Sequence, residues 1–166
     1  MKKQQQNNDT LFTDDFPIVL SQLELDKAIQ EFSQYDPYYV LSGCHEDNRK
    51  EIFDTLWRVF KDYADSHFLK QYKTQFHQRT WEMYVGYLLL QNNFKIKPLD
   101  KGPDFIVDDR AYIECVTCSH GDTANPYSVP HMPVSTIDDV RVYDVPVNEM
   151  ILRITQALSE KYQKYQ

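Results

Sequence analysis

Three acidic residues occupy positions from which their side chains could act together. Glu82 lies in a predicted helix, Asp104 stands at the start of a predicted strand, and Glu114 lies inside the strand after it. Carboxylate oxygens are the hard ligands that Mg²⁺ prefers, and a bound Mg²⁺ can activate water for attack on a phosphate ester. The pattern therefore predicts a divalent-cation site built from one helix and two adjacent strands.

The helix that carries Glu82 is predicted from about residue 75 to residue 91. At 100° per residue, Glu82 shares an apolar face with Val85. A buried carboxylate without a partner is costly, so a metal ion, an arginine or protonation of the acid must compensate for its burial. Arg79, one turn earlier, is the plain structural partner. Gly86 predicts a close approach of the sheet to this helix.

An antiparallel meander is predicted to follow that helix. Residues 94–97 form its first strand, residues 104–107 its second and residues 111–117 its third, with a turn at 108–110. Because side chains alternate along a strand, the register of the second hairpin decides whether the acids meet. If the hairpin sets Asp104 beside Glu114, both acids point to one side, which the helix bearing Glu82 must then cover.

This ordered set resembles the PD-(D/E)xK nuclease superfamily. The family pattern is a helical Glu, a strand that opens with Pro-Asp, and a strand that carries Glu-x-Lys; here Glu82, Pro103-Asp104 and Glu114 match it. One position departs, because the lysine is expected two residues after Glu114, where this chain has Val116. The resemblance covers residues 81–117.

The resemblance implies an α/β (α+β) fold with a restriction-endonuclease-like core, in which helices flank the antiparallel meander. Residues 1–10 are expected to form a disordered tail and residues 11–166 a single nuclease-like domain with a helical N-terminal part. The implied activity is Mg²⁺- or Mn²⁺-dependent cleavage of DNA, with DNA favoured over RNA. Nucleases of this family often form dimers, so a homodimer is compatible with the pattern.

The resemblance also assigns roles to residues. Glu82, Asp104 and Glu114 are the expected metal ligands and catalytic residues. Lys101 is the nearest lysine to Asp104 and is the candidate for the role that Val116 cannot fill. The expected substrate contacts are Arg79, Lys95, Lys97 and His120. The alternative is a catalytically inactive relative of this fold that acts as a binding or structural protein.

The flanking segments are predicted to be mainly helical. A short helix follows Ser21, an extended piece covers residues 38–41, and a long helix runs from Asp47 or Asn48 to about residue 72. A long connection spans residues 119–146 and leads to a last helix from 146 or 147. In the restriction-endonuclease-like fold a further strand normally follows that helix, so the sequence predicts either a C-terminal truncation or a last helix that frays at its end.

Charge and cysteine usage limit the partners and the compartment. The net charge of −7 counts against tight non-specific binding of DNA. Three cysteines and no secretory leader predict free thiols in the cytoplasm, and no apolar run is long enough to span a membrane. Cys115 and Cys118, with His120 nearby, form a C-x-x-C pattern that leaves a zinc site as a weaker alternative, because the two thiols should point to opposite faces.

Overall fold

The computed structural model describes residues 10–45, 48–99, 102–118, 121, 124, 128–129 and 144–164. In that part of the chain, six α-helices and one three-stranded antiparallel sheet form a mixed helix and sheet fold. The helices are α1 (Gln22–Glu31), α2 (Pro37–Cys44), α3 (Arg49–Phe60), α4 (Phe68–Tyr72), α5 (Phe76–Gln91) and α6 (Val147–Lys164). The strands are β1 (Ile96–Pro98), β2 (Phe105–Val107) and β3 (Ala111–Ile113).

The first two helices begin at side-chain caps. Ser21 accepts from the backbone N–H of Glu24 at 3.4 Å, so α1 begins where the sequence predicts. The extended piece predicted for residues 38–41 is wrong, because α2 occupies them. Asp36 accepts from the backbone N–H of Tyr38 at 2.9 Å and Pro37 takes the first helical position. Most of α2 is buried, so its sequence lacks the helical periodicity of polar and apolar residues that marks a surface helix.

The long helix predicted up to residue 72 is interrupted. α3 ends at Phe60, a 3-10 turn spans Lys61–Tyr63, and α4 begins only at Phe68. In between, the Asp65 carboxylate accepts from the backbone N–H of His67 at 2.6 Å. This local bond offers the backbone an alternative to the helix and accounts for the break.

Aromatic rings join the helices to the sheet. Phe60, at the end of α3, is fully buried. Its ring lies 5.4 Å from the ring of Phe68 and 5.8 Å from that of Phe105, measured between centroids. Phe60 thereby connects α3 with α4 and with β2. The same core includes Tyr39, Tyr72 and Phe76.

The sheet is the predicted meander, with shorter strands, in the order β1-β2-β3. Phe105 pairs with Ile113, and the same register extended by one residue sets Asp104 opposite Glu114. The hairpin turns through Asp108 and Asp109, whose φ angles are 50° and 57°. Two consecutive positive φ angles are the hallmark of a type I′ turn, which fixes the register of a short hairpin.

The sequence predicted that the helix bearing Glu82 covers the face of the sheet to which Asp104 and Glu114 point, and this prediction is wrong. α5 packs on the face of Phe105 and Val107, both buried, while Tyr112 on the opposite face is 69% exposed. The apolar residues of β2 stand at 105 and 107, so this face enters the core. Asp104 still comes near α5 because it precedes the strand, just after Gly102, which turns the chain with a φ of 110°.

Gly86 is expected to tolerate no side chain. A Cβ built there would lie 2.5 Å from Phe60 Cδ2 and 3.4 Å from Phe105 Cζ. Gly86→Ala gains about 1 kcal/mol of helix propensity, yet overpacking of about 1–3 kcal/mol should exceed this gain. We expect urea unfolding to show a less stable variant. Gln91→Ala, at the exposed end of α5, is the control, and a Gly86→Ala variant as stable as the wild type would contradict this packing.

No helix in the described ranges is both long and apolar enough to cross a membrane.

Candidate active site

One stripe of α5 forms the wall of a polar cleft. Gln75, Gln78, Arg79 and Glu82 recur at spacings of three and four residues, which places them along one face of the helix. The cleft has a volume of about 430 Å³. Its lining consists of Gln71, Gln75, Gln78, Arg79, Glu82, Asp104 and Lys161. Two of the three predicted acids, Glu82 and Asp104, therefore face the same space.

Glu82 is 4% exposed and is paired with Arg79. Arg79 Nη1 lies 2.5 Å from Glu82 Oε2 and 2.8 Å from Asp65 Oδ2, and its other terminal nitrogen donates to Gln71. The plain structural partner named from the sequence is thus present. Burial raises the pKa of Glu82 to about 7; the Arg79 charge opposes this rise, and the negative charge of Asp104 adds to it.

Asp104 connects the start of β2 to the segment that follows β3. Its Oδ2 accepts from the backbone N–H of Cys115 at 2.6 Å. Burial raises the pKa of Asp104 above its usual range; the bond from Cys115 works against this rise, and the negative charge of Glu114 reinforces it. The charge of Asp104 therefore affects the pKa of Glu82, and the charge of Glu114 affects the pKa of Asp104.

Glu114 is held by a lysine that the sequence did not indicate. Lys161, near the end of α6, donates from Nζ to Glu114 Oε1. The positive charge of Lys161 also opposes the rise in the pKa of Asp104 that burial causes. This contact brings a residue of the C-terminal helix to the predicted site.

Gln78 is a second residue that the sequence reasoning missed. Its Nε2 donates to the carbonyl oxygen of Cys115 at 2.8 Å, and its Oε1 accepts from Thr117 Oγ1 at 2.5 Å. These bonds fasten α5 to the segment after β3. The sequence did carry a signal, because Gln78 lies one turn before Glu82 on the same helical face.

Among the other predicted substrate contacts, Lys95 and Lys97 do not line this cleft. Lys95 lies at the turn end of the sheet, where its backbone N–H donates to Asp108 at 3.0 Å. Lys97 is on the exposed surface, 2.5 Å from Asp109 Oδ1. Lys101 and His120 lie outside the described residues.

The available donors are of the type that Mg²⁺ prefers. They are the carboxylates of Glu82, Asp104 and Glu114, with the carbonyl oxygen of Cys115 nearby. Their arrangement does not fit as it stands, because the oxygens are held by Arg79, Lys161 and the Cys115 N–H. Across the described part of the chain, no group of three or more His, Cys, Asp or Glu side chains is gathered closely enough to hold a metal ion. Of the predicted zinc ligands, Cys115 is buried and Cys118 is exposed, and His120 lies outside the described residues.

Comparisons of the chain with protein-family models, curated proteins and solved structures gave no significant match. The resemblance to the PD-(D/E)xK nucleases stays a prediction that rests on Glu82, Asp104 and Glu114.

Proposed function

We propose that this protein has a restriction-endonuclease-like core and hydrolyses DNA phosphodiester bonds with Mg²⁺ or Mn²⁺ bound by Glu82, Asp104 and Glu114. The observation that carries the proposal is that Glu82 of α5 and Asp104 at the start of β2 face one cleft, while the hairpin register sets Glu114 opposite Asp104. They are close enough for the charge of Asp104 to raise the pKa of Glu82, and for that of Glu114 to raise the pKa of Asp104. Such a cluster of negative charge gains stability from a cation.

Several residues around the proposed metal site would orient its ligands. When bound, Mg²⁺ supplies charge neutralisation and a more acidic water. The Cys115 N–H orients Asp104, and Gln78 fixes the carbonyl oxygen of Cys115. Arg79 keeps Asp65 as a partner if Glu82 turns to another cation. A metal ion would bind here only if the Glu82 carboxylate left Arg79 and the Glu114 carboxylate left Lys161.

The proposal extends to partner and compartment. The net charge of −7 leaves DNA contacts to local cations, so binding should be weak and strongly dependent on salt. DNA is proposed over RNA, and a homodimer is proposed because cutting both strands of a duplex needs two sites. The free thiols of Cys44, Cys115 and Cys118 support a reducing compartment, which we propose is the cytoplasm.

A second candidate is a catalytically inactive relative that binds a partner without metal. The specific observation in its favour is the Arg79 guanidinium, which is shared among Glu82, Asp65 and Gln71. Val116 at the position of the family's lysine agrees with this alternative.

Calorimetric titration with Mg²⁺ and Mn²⁺, combined with a plasmid-nicking assay, separates the two candidates. We expect the wild type to bind the ion and nick DNA, and Asp104→Asn and Glu114→Gln to lose both properties. Asp109→Asn is the matched control, because this exposed aspartate lies at the other end of the hairpin.

Each outcome assigns a function. Binding and nicking by the wild type, lost in the two site variants and kept in Asp109→Asn, support the nuclease. Absence of metal binding by the wild type rejects the nuclease and favours the metal-free relative. Nicking that survives in Asp104→Asn contradicts the proposed site.

A further inference from the structure

α6 turns its polar side toward the rest of the molecule. Its half-buried positions recur every four residues, at Glu149, Arg153, Ala157 and Lys161, and this period keeps them along one side of the helix. Lys161, the last of them, donates to Glu114. In the part of the chain that the structure describes, the hydrophobic core includes no side chain of α6. The helix therefore lies on the molecule without burying an apolar face in that core.

The apolar residues of α6 face water instead. Six of them are between 41% and 66% exposed, and we call them the α6 stripe: Val147, Met150, Ile151, Ile154, Leu158 and Tyr162. At 100° per residue, the six fall within an arc of about 120°. A surface helix of a globular protein normally turns an apolar arc of this width to the core. A contiguous apolar patch that is left in water marks an interaction site.

The spacing within the α6 stripe suits a second helix. Val147, Ile151, Ile154 and Leu158 follow one another at intervals of four, three and four residues. This alternation forms a seam along which two α-helices pack side by side at a shallow crossing angle. Because the side chains of one seam fill the gaps of another of the same kind, an identical helix is a matching partner.

The distribution of charge favours a second copy at this face. Two copies of a chain with a net charge of −7 repel each other over most of their surfaces. The acids of α6, Glu149 and Glu160, lie on the side of the helix opposite the stripe. The one charged residue of α6 within the arc is Lys161, which is paired with Glu114. Two copies can therefore meet along the stripe without bringing acids together.

The exposed area of the α6 stripe is sufficient for a specific contact. Six side chains of this size, each about half exposed, offer on the order of 600 Å² per copy, so a pair of copies would bury about 1,200 Å². This area is at the lower end of the range for specific protein interfaces. We therefore expect a dimer of modest affinity, with a dissociation constant on the order of micromolar.

We propose that the α6 stripe is the contact surface of a homodimer, in which α6 of one copy packs along α6 of a second copy. The inference does not rest on the proposed nuclease, because the stripe is exposed whatever reaction takes place in the cleft. It does bear on the cleft, since Lys161 of the same helix lines it. Dimer formation would hold that wall of the cleft in place in both copies.

Sedimentation equilibrium from about 1 µM to about 200 µM, a range that brackets a micromolar dissociation constant, tests the dimer. The wild type should change from the mass of one chain to that of two. Ile154→Glu combined with Leu158→Glu sets acids against acids in the dimer and should remain a monomer. Glutamate is a good helix former, so circular dichroism should show that α6 is kept.

The matched control combines Ser159→Glu with Gln163→Glu. It adds the same charge to α6 at the same spacing, at exposed positions outside the stripe, and should dimerise as the wild type does. Ile154→Ala combined with Leu158→Ala adds no charge and also keeps strong helix formers. Its dissociation constant should rise about tenfold or more, because each copy loses two central apolar contacts.

A mixture of two charged variants tests whether α6 faces α6. Ile154→Lys combined with Leu158→Lys should also be a monomer by itself. Mixed at low salt with the variant that carries glutamate at both positions, it should form a heterodimer, because opposite charges then meet across the seam. This recovery is expected only if the stripes of the two copies pack against each other.

Four results would overturn the inference. A wild type with the mass of one chain at every concentration would leave the stripe to another part of the chain or to another protein. A dimer that persists in both the glutamate and the alanine variants of the stripe would be formed by another surface. Dissociation of the Ser159→Glu and Gln163→Glu control would show an effect of charge alone. Absence of the heterodimer would show that α6 does not face α6. None of these measurements depends on DNA cleavage, so failure of the nuclease proposal is distinguishable from failure of this one.

Discussion

Phe60→Ala is expected to lower the free energy of unfolding by about 3–5 kcal/mol, the range for removing a buried phenyl ring. Phe60 is fully buried between Phe68 and Phe105, and its ring fills the space above Gly86. The lost free energy combines the transfer free energy of the deleted ring atoms with the cost of the cavity that remains. Since domains of this size are stable by about 5–15 kcal/mol, the variant should unfold at much lower urea concentration.

The control for this prediction is Ile52→Ala, in the same helix. Ile52 is 53% exposed, and its removal should change stability by less than about 0.5 kcal/mol. Urea titrations followed by circular dichroism measure both variants. If the effect of Phe60→Ala were as small as that of Ile52→Ala, Phe60 would not join the helices to the sheet as described.

The Phe60 contact also affects the candidate site. Phe105 directly follows Asp104, and Gly86 lies one turn after Glu82. Because the Phe60 ring contacts both Phe105 and Gly86, it helps to set the distance between the two acids. Core packing and the geometry of the cleft are coupled through neighbouring residues of the chain.

The metal-free protein is expected to lose stability as the pH rises through the titration of Glu82. Burial raises the pKa of Glu82 from an ordinary 4.5 to about 7. A carboxyl group with a raised pKa in the folded state favours folding when protonated, so its contribution is complete below the unfolded value and is lost as the pH approaches 7. A shift of this size corresponds to roughly 3 kcal/mol.

Glu82→Gln isolates this contribution. The amide keeps the shape and an oxygen that can accept from Arg79, and it carries no charge to desolvate. Relative to the wild type, the variant should gain up to roughly 3 kcal/mol at about pH 8 and little at about pH 4.5. Urea unfolding with a chelator present measures the difference.

Glu31→Gln is the control for Glu82→Gln, because Glu31 is exposed at the end of α1. The control should follow the wild type at both pH values. A Glu82→Gln variant less stable than the wild type at the higher pH would show that the Arg79 attraction outweighs the cost of burial.

Local patterns predicted the elements that hold the acids. The helix predicted from about residue 75 to residue 91 is α5, and alternating runs with a turn at residues 108–110 located the hairpin that sets Asp104 opposite Glu114. The error at α2 came from a short buried helix, where the cap signal of Asp36 and Pro37 was more informative than the apolar pattern.

Long-range partners were beyond local patterns. The contact of Lys161 with Glu114 depends on how α6 packs, and nothing in the residues around either position specifies it. The side of the sheet that α5 covers was also mispredicted, because parity tells which residues share a face but not which face enters the core. Arg79 was different, since a partner one turn from Glu82 is a local feature.

The two tryptophans of the chain lie in contrasting surroundings. Trp57 is 5% exposed and stacks on Phe68 at 5.4 Å, whereas Trp81, next to Glu82 in α5, is 43% exposed. The indole of Trp81 is in contact with water in the folded and the unfolded chain alike. The change in intrinsic fluorescence on unfolding therefore comes mainly from Trp57, and the wild-type protein carries its own optical reporter of the aromatic core.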